Sequence, residues 1–413
     1  MNVDVLVVGA GPAGLSAAAA LRGLGVARVL VADREAAPGG VPRHCWHTGY
    51  GLRDLRRLMS GPAYARALAE AAARAGADVR TACTVTGISP SPDGPTATMT
   101  SPAGVGTVRA RAVLLATGCR ERPRAARLVP GDRPSGIMTT GELQQRVYLG
   151  GERLSGRALV IGAEHVSFSA ALTLAHAGAR VAALVTGHER QQSYAAFAAT
   201  AALRWHIPVW TSATVRRVIG AAGRLTGVEL TDGRDGAVRY VPCDLLVFTG
   251  DWIPDHALAR AAGLAIDSGT RGPAVDTALA TSAPGVFAAG NLVHAAETAD
   301  IAALSGRHAA RQIAAYLDGR RAVSSALVPV EVASPLLWIS PNAVTDGTPP
   351  PLGRFVLRAA EFRPPVRVEA RQDGRLLARS RSRRLVPGRP AHLAASWLSS
   401  VDPAGGPIRV SAG

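Results

Sequence analysis

The sequence predicts an α/β chain with two Rossmann-like dinucleotide-binding domains and a small C-terminal β-rich domain. Three observations lead there. A strand, a Gly-rich turn, a helix and a second strand open the chain in DVLVVGAGPAGLSAAAALRGLGVARVLVADRE. A weaker copy of the same order returns in RALVIGAEHVSFSAALTLAHAGARVAALVTGHE, with Gly162 in the place of Gly9. From about Ser324 the pattern changes to Pro-rich connections and alternating segments.

In chain order, Val5 to Val8 reads as a buried parallel strand, the Ala-rich stretch after it as a helix, and the second apolar run, ending at Asp33, as the next strand. AGADVRTACTVTGI and VRARAVLLATGCRERPR read as short strands, the latter ending at Ala116, Thr117 and Gly118. The Pro- and Gly-rich segment from Pro123 to Gly136 reads as a crossing linker into the second unit. CDLLVFTGDWIPD and SAPGVFAAGN are apolar strands closed by Gly, Thr298 to Tyr316 has helical spacing, and here the chain is expected to return to its first domain. In PVRVEARQDGRLLARSR, Asp373-Gly374 between two strand-like runs predicts a hairpin. The expected domains are therefore 1–120 and 245–323 for the first nucleotide domain, 121–244 for the second, and 324–413 for the β-rich appendage.

Composition narrows the chemistry. The 413 residues suffice for two to three domains, and 47% hydrophobic with only 4% aromatic residues suits layers of Ala, Val and Leu. The formal charge is +16, yet all 46 basic residues are Arg and are spread along the chain, which favours a solvated basic surface over nucleic-acid binding and leaves a basic patch for an acidic protein open. With no lysine, Schiff-base and P-loop lysine chemistry are excluded. Cys45, Cys83, Cys119 and Cys243 lie far apart, so spacing reads neither a metal site nor a redox dithiol, and a reducing cytoplasm is expected. No apolar run reaches the ~18 residues of a membrane span.

Gly9, Gly11 and Gly14 form G-x-G-x-x-G after a strand and at the start of a helix. Gly9 permits the tight turn, Gly11 lets backbone approach a pyrophosphate, and Gly14 lets helix pack close to sheet, with the helix N-terminus facing the phosphates. Asp33 follows about twenty residues on, where an acid holds ribose hydroxyls. These motifs, with DREAAPGG, LLATGCRERPR, TGDWIPD and TSAPGVFAAGN in the same order over residues 1 to about 320, resemble the FAD-dependent pyridine nucleotide-disulfide oxidoreductase superfamily. The resemblance implies FAD in the first domain and NAD(P) in the second. The flavin-binding set it implies is Gly9, Gly11, Pro12, Ala13, Gly14, Asp33, Arg34, Gly40, Val85, Ala116, Thr117, Gly118, Gly290, Asn291, Glu297, Thr298 and Ala299. Asn291 stands where the superfamily usually has an Asp on the ribityl chain, and the helix near Thr298 would aim its N–H groups at the flavin N1–C2=O edge.

Two departures redirect the function. The superfamily's cysteine pair is replaced by VPRHCWHTGYG, whose single Cys45 cannot form an intramolecular bridge. In the repeat, Glu164 and Ser167 replace the second and third glycines, and Val185 or Thr186 stands where an acid should close the strand. A Glu at the phosphate-approach position disfavours NAD(P), although Arg190 keeps a 2′-phosphate contact open. The polar loop Arg43, His44, Cys45, His47 and Tyr50 is then the candidate catalytic segment: a His or Cys to take a proton, Arg43 to hold a carboxylate. His294 and Glu297 are the next candidates. Without the cysteine pair the chain most resembles FAD subunits of hetero-oligomeric amine, amino-acid and opine dehydrogenases, sarcosine oxidase and cyanide synthase, which implies oxidation of a C–N bond with a partner subunit or electron acceptor. Three readings compete: an FAD-dependent dehydrogenase or oxidase for a small amine, amino acid or hydroxy acid, alone or as one subunit; an NAD(P)H-dependent flavin reductase serving a partner protein or quinone; and a non-catalytic FAD-binding scaffold.

Overall fold

The computed structural model of the chain describes residues 1–91, 93–195, 199, 205–295, 297–320, 327–345 and 347–413. Its contacts divide the chain into two compact units, the first made of Met1–Arg43, Thr48–Cys119 and Ile253–Gly413, the second of His44–His47 and Arg120–Trp252.

The first unit is built on Asn2–Val8, whose residues from Val3 onward are all buried because both faces of the strand are covered. It pairs in parallel with Val29–Ala32 on one side and with Gly104–Leu115 on the other. That last strand is 12 residues long and joins parallel and antiparallel pairing within one seven-stranded sheet. Its C-terminal half runs parallel to Asn2–Val8 and Val286–Ala288, while its N-terminal half pairs antiparallel with Thr96–Ser101. Helix Pro12–Gly23 follows the first strand and packs against helix Ala299–Leu317. Glycine makes that contact possible, because a Cβ at Gly306 would stand 2.0 Å from the Ala13 carbonyl oxygen.

The C-terminal part of this unit has a hydrophobic core of its own, with Val330, Ile339, Phe355, Leu357, Leu393, Trp397 and Val410 at its centre. One sheet carries Leu336–Ser340, Arg354–Ala359 and Ala391–Ala394; another carries Val328–Val332, Ile408–Ala412, Val368–Gln372 and Arg375–Arg379. The last two form the expected hairpin. Asp373 and Gly374 both have positive φ, +48° and +80°, as a two-residue turn matched to strand twist requires.

The second unit is a five-stranded parallel sheet in the order Ile137–Thr139, Leu245–Phe248, Arg157–Ile161, Arg180–Val185, Val209–Trp210, with an antiparallel three-stranded sheet over Ala213–Pro242. Helix His165–Ala177 follows Arg157–Ile161, as the repeat implies. Leu245–Phe248, assigned by the sequence reading to the first domain, instead lies between Ile137–Thr139 and Arg157–Ile161. A fully apolar tetrapeptide fits the interior of either parallel sheet, so its composition does not choose between them. Among the described residues no helix is long and apolar enough to cross a membrane.

Candidate functional site

In the first unit the turn after Asn2–Val8 is a tight, glycine-built turn. Gly9 has φ +106°, and a Cβ there would lie 2.5 Å from the Ala116 carbonyl oxygen; one at Gly14 would lie 1.9 Å from that of Gly9. At Gly11 an added Cβ would meet no protein atom within 4 Å. Gly11 is also the N-cap of Pro12–Gly23 and offers no side-chain acceptor, which leaves the first-turn N–H groups to an external anion. Gly40 closes over this turn, with φ +63° and a Cβ position 2.9 Å from Gly11 Cα, and the Gly39 N–H donates to the Ala10 carbonyl at 2.8 Å. Thus two glycines serve packing, while Gly11 borders open space.

Asp33 is buried at the end of Val29–Ala32. Its carboxylate accepts from the Ala10 N–H and, at 2.8 Å, from the Glu35 N–H. A carboxylate has about four acceptor sites, so hydroxyl donors can still be taken. The segment from Ala82 to Cys83 donates back to the carbonyls of Glu35 and Asp33, two residues before half-buried Val85, which pairs with Met99. On the other flank, Thr117 Oγ1 donates to the Asp255 carbonyl at 2.8 Å, the Asp255 N–H donates to Gly118, and Arg34 pairs with the Asp255 carboxylate at 3.3 Å.

The turn after Val286–Ala288 completes the first unit's site. Gly290 has φ +70° and its Cβ position lies 2.7 Å from the Ala13 methyl. Asn291 closes the following loop on itself. Its Oδ1 accepts from the Glu297 N–H at 3.0 Å and its Nδ2 donates to the Glu297 carbonyl at 3.1 Å. The side chain expected on a ribityl chain therefore first holds its own loop in shape. Thr298 is the N-cap of Ala299–Leu317, whose first turn carries buried Asp300, salt-bridged to Arg53 at 3.1 Å. Glu297 is buried and pairs with Arg358 at 3.3 Å; burial pushes its carboxyl up, against the pull of Arg358. Neither Arg53 nor Arg358 is visible as a functional residue in the sequence, because each meets its acid from a distant segment.

The candidate catalytic loop is divided between the units. Arg43 belongs to the first, where its guanidinium donates to the Ala37 carbonyl at 2.9 Å and lies 3.9 Å from Glu35, so it braces the 35–40 segment. His44 to His47 cluster with the second unit. There His44 is buried, His47 is exposed, and Trp46 stacks on Tyr148 at 5.3 Å. Cys45 is 5% exposed and its Sγ lies 3.1 Å from Gln144 Oε1. Its thiol is therefore largely enclosed by protein. Tyr50 remains in the first unit beside Tyr64, ring centroids 5.8 Å apart.

The second unit's turn is filled from within. Glu164 is the N-cap of His165–Ala177, and its carboxylate lies between the two glycines that would face a ligand: its Oε2 is 2.7 Å from the Cβ position of Gly162 and its Oε1 is 2.9 Å from that of Gly250. Ser167 and Thr249 hydroxyls bond each other at 2.7 Å. Near them Glu121 is buried, accepting from the Gly141 N–H at 2.8 Å, and its carboxyl is pushed up to about 7 by burial, with a smaller push from Glu164. Arg127 lies over the Phe248 ring and donates to the Thr249 and Gly250 carbonyls at 3.0 and 2.8 Å. Thr186 closes the second strand without an acid, and Arg190 pairs with Glu189 at 2.7 Å.

With this geometry in place the chain can be compared with known proteins. The sequence model of the pyridine nucleotide-disulphide oxidoreductase family matches residues 3–306. An opine oxidase subunit of Agrobacterium tumefaciens (strain Ach5) is 34% identical over 184 residues, 42% of this chain and 35% of that protein. The alpha subunit of sarcosine oxidase from Corynebacterium sp. (strain P-1) is 29% identical over 265 residues, 62% of this chain and 27% of that protein. The chain thus spans about a third or less of the length of these curated relatives. Among solved structures, T. acidophilum thioredoxin reductase superposes with a TM-score of 0.65 at 24% identity, covering 78% of this chain and 99% of that one, which establishes the shared fold. Among the described residues no disulfide is formed.

Proposed function

The chain belongs to the pyridine nucleotide-disulphide oxidoreductase family and is an FAD-dependent oxidoreductase; from that premise we propose that it takes a hydride from the C–N bond of a small amine or amino acid, or from a hydroxy acid, as one subunit of a cytoplasmic complex. The observation that carries this reading is the contrast between the two turns. Gly11 borders open space at a helix N-terminus, whereas Glu164 puts a carboxylate into the corresponding place of the second unit. A pyrophosphate brought to that carboxylate would meet like charge in a partly desolvated site. Electrons therefore enter from an organic substrate and not from NAD(P)H.

FAD, when bound, supplies the two-electron acceptor. The chain's residues bind and orient it: the 9–14 turn for the pyrophosphate, Asp33 for the adenosine ribose, the 290–299 loop for the flavin side. Oxidation of an amine releases a hydride to the acceptor and a proton to solvent or a base, leaving an imine. With FAD bound, the two electrons would pass on to a partner subunit or external acceptor. Relatives named as oxidase subunits support the subunit reading.

The test is anaerobic mixing of the FAD-loaded chain with NADH, NADPH and panels of amines, amino acids and hydroxy acids, following the flavin absorbance. Bleaching by a member of the panels and not by either nicotinamide is expected. Rapid stoichiometric bleaching by NADH or NADPH would overturn the proposal in favour of a flavin reductase.

A further inference from the structure

The sheet Leu336–Ser340, Arg354–Ala359, Ala391–Ala394 has two unlike faces. Ile339, Phe355, Leu357 and Leu393 point into the C-terminal core. The period-2 alternation of strands then places Trp338, Ser340, Arg354, Val356, Arg358 and His392 on the opposite face, and the register agrees, with Trp338 opposite Arg358 and Val356 opposite both Ser340 and His392. This second face lies on the loop that follows Asn291. Arg358 reaches Glu297 and covers the Trp338 ring at 5.3 Å, and the same ring lies 5.3 Å from that of His294.

Beside this clamp is a cavity of about 40 Å³, lined among others by His294, Ser305, Ser340, Arg354, Val356 and His392. By the ~10–15 Å³ that one water requires, it admits about three waters or one anion of three to four heavy atoms. Its walls hold polar atoms that lack partners. Arg354 Nε and His294 Nδ1 are both buried without a hydrogen-bond partner. The nearby carboxylates are already engaged, Glu297 by Arg358 and Asp300 by Arg53. Arg354 and Arg383 add further positive potential, which, behind the larger effect of burial, holds His392 down at about 4. Half-buried Arg354 has Glu297, already held by Arg358, as its nearby counter-charge, and a buried N–H without a hydrogen-bond partner, like that of Arg354 Nε, carries a desolvation cost.

We propose that this cavity is a binding site for a compact oxyanion, the size of formate or hydrogencarbonate, seated on Arg354 with the imidazole N–H groups of His294 and His392 as further donors. The site belongs wholly to the first unit and does not depend on which substrate reduces the flavin. Because Arg358 and Trp338 join its wall to Glu297 and His294, its occupancy bears on the loop that carries Asn291.

The experiment uses the full chain with FAD. Thermal unfolding is followed while sodium formate, or in a parallel arm sodium hydrogencarbonate, replaces the sodium salt of a bulky sulfonate at constant ionic strength. A saturable rise in Tm with at least one of the two is expected, and the arm with the lower half-saturation distinguishes a carboxylate from a carbonate ligand. R354M should raise the half-saturation concentration at least tenfold. H392F, which fills the cavity and keeps Arg354, should remove the saturable response even if R354M fails to fold. No saturable response to either anion, or the same response in wild type and H392F, would overturn the proposal.

Discussion

A Cβ added at Gly11 would meet no protein atom within 4 Å, and its φ of −81° and ψ of −174° are open to any residue. Gly11→Val should therefore leave the apo-protein's stability within the usual ±0.5 kcal/mol of a harmless substitution while weakening FAD at least ~10-fold, read as flavin retained through gel filtration against apo-protein Tm. A Tm that falls together with the flavin would mean that Gly11 serves packing, as Gly9 and Gly14 do. Glu121 makes the opposite kind of prediction, about charge and not shape. Its folded pKa of about 7 lies above the ordinary 4.5, so between those values the folded protein keeps a proton that the unfolded chain has released. The associated stability is present at acid pH and is lost as pH rises through 7. Glu121→Gln, a mimic of the protonated form, should match wild type near about pH 4 and exceed it near about pH 8 by up to ~3 kcal/mol, measured by urea unfolding. Equal gains at both pH values would place the cause elsewhere.

Elements show what could and could not be read in advance. The strand, turn, helix and strand around Gly9 to Asp33 were legible because each glycine answers a local backbone demand and the acid sits at a fixed spacing. The GVFAAGN turn and the Asp373-Gly374 hairpin were legible for the same reason. Leu245–Phe248 was not, since four buried apolar residues carry no sign of the sheet they join. Nor was the division at Arg43/His44, because the preference of Cys45 for Gln144 and of Trp46 for Tyr148 links positions about a hundred apart. Arg53, Arg354, Arg358 and His392 were likewise silent: an arginine acquires meaning only when a distant acid or cavity is brought to it. Helix Ala299–Leu317 gives the element-scale prediction. Its close approach to Pro12–Gly23 rests on Gly306, whose Cβ position lies 2.0 Å from the Ala13 carbonyl oxygen. Gly306→Val must push the two helices apart, at a cost of about 1–3 kcal/mol, and should lower FAD retention as well, since Ala13 is in the first turn of Pro12–Gly23, the helix proposed to meet the cofactor. A fully stable variant would show that the contact yields without loss.

At the scale of the whole molecule the excess of arginine finds a structural use. A guanidinium carries five donors in a rigid fork, where an ammonium is a point charge, and several arginines here staple loops through carbonyls. Arg22 donates to Ala75, Val26 and Ala27; Arg124 to Val129, Pro130 and Asp132; Arg127 to Arg122, Thr249 and Gly250. These arginines thus act as loop braces in both units.

The two units also have separate cores, one around Val5, Leu30, Leu114 and Phe287, the other around Val160, Leu174, Leu184 and Val247. Only the first carries the open Gly11 turn. A ligand stabilises what it binds by RT ln(1 + [L]/Kd), about 2.7 kcal/mol at a hundredfold excess over Kd. Calorimetry of apo- and FAD-loaded protein should therefore resolve two transitions, of which FAD raises one. Glu121→Gln, at about pH 8, should raise the other, because Glu121 belongs to the second unit. If FAD and Glu121→Gln move the same transition, or both move under FAD alone, the units unfold as one cooperative body, and the filled turn at Glu164 then has to be read as part of the flavin unit's own stability.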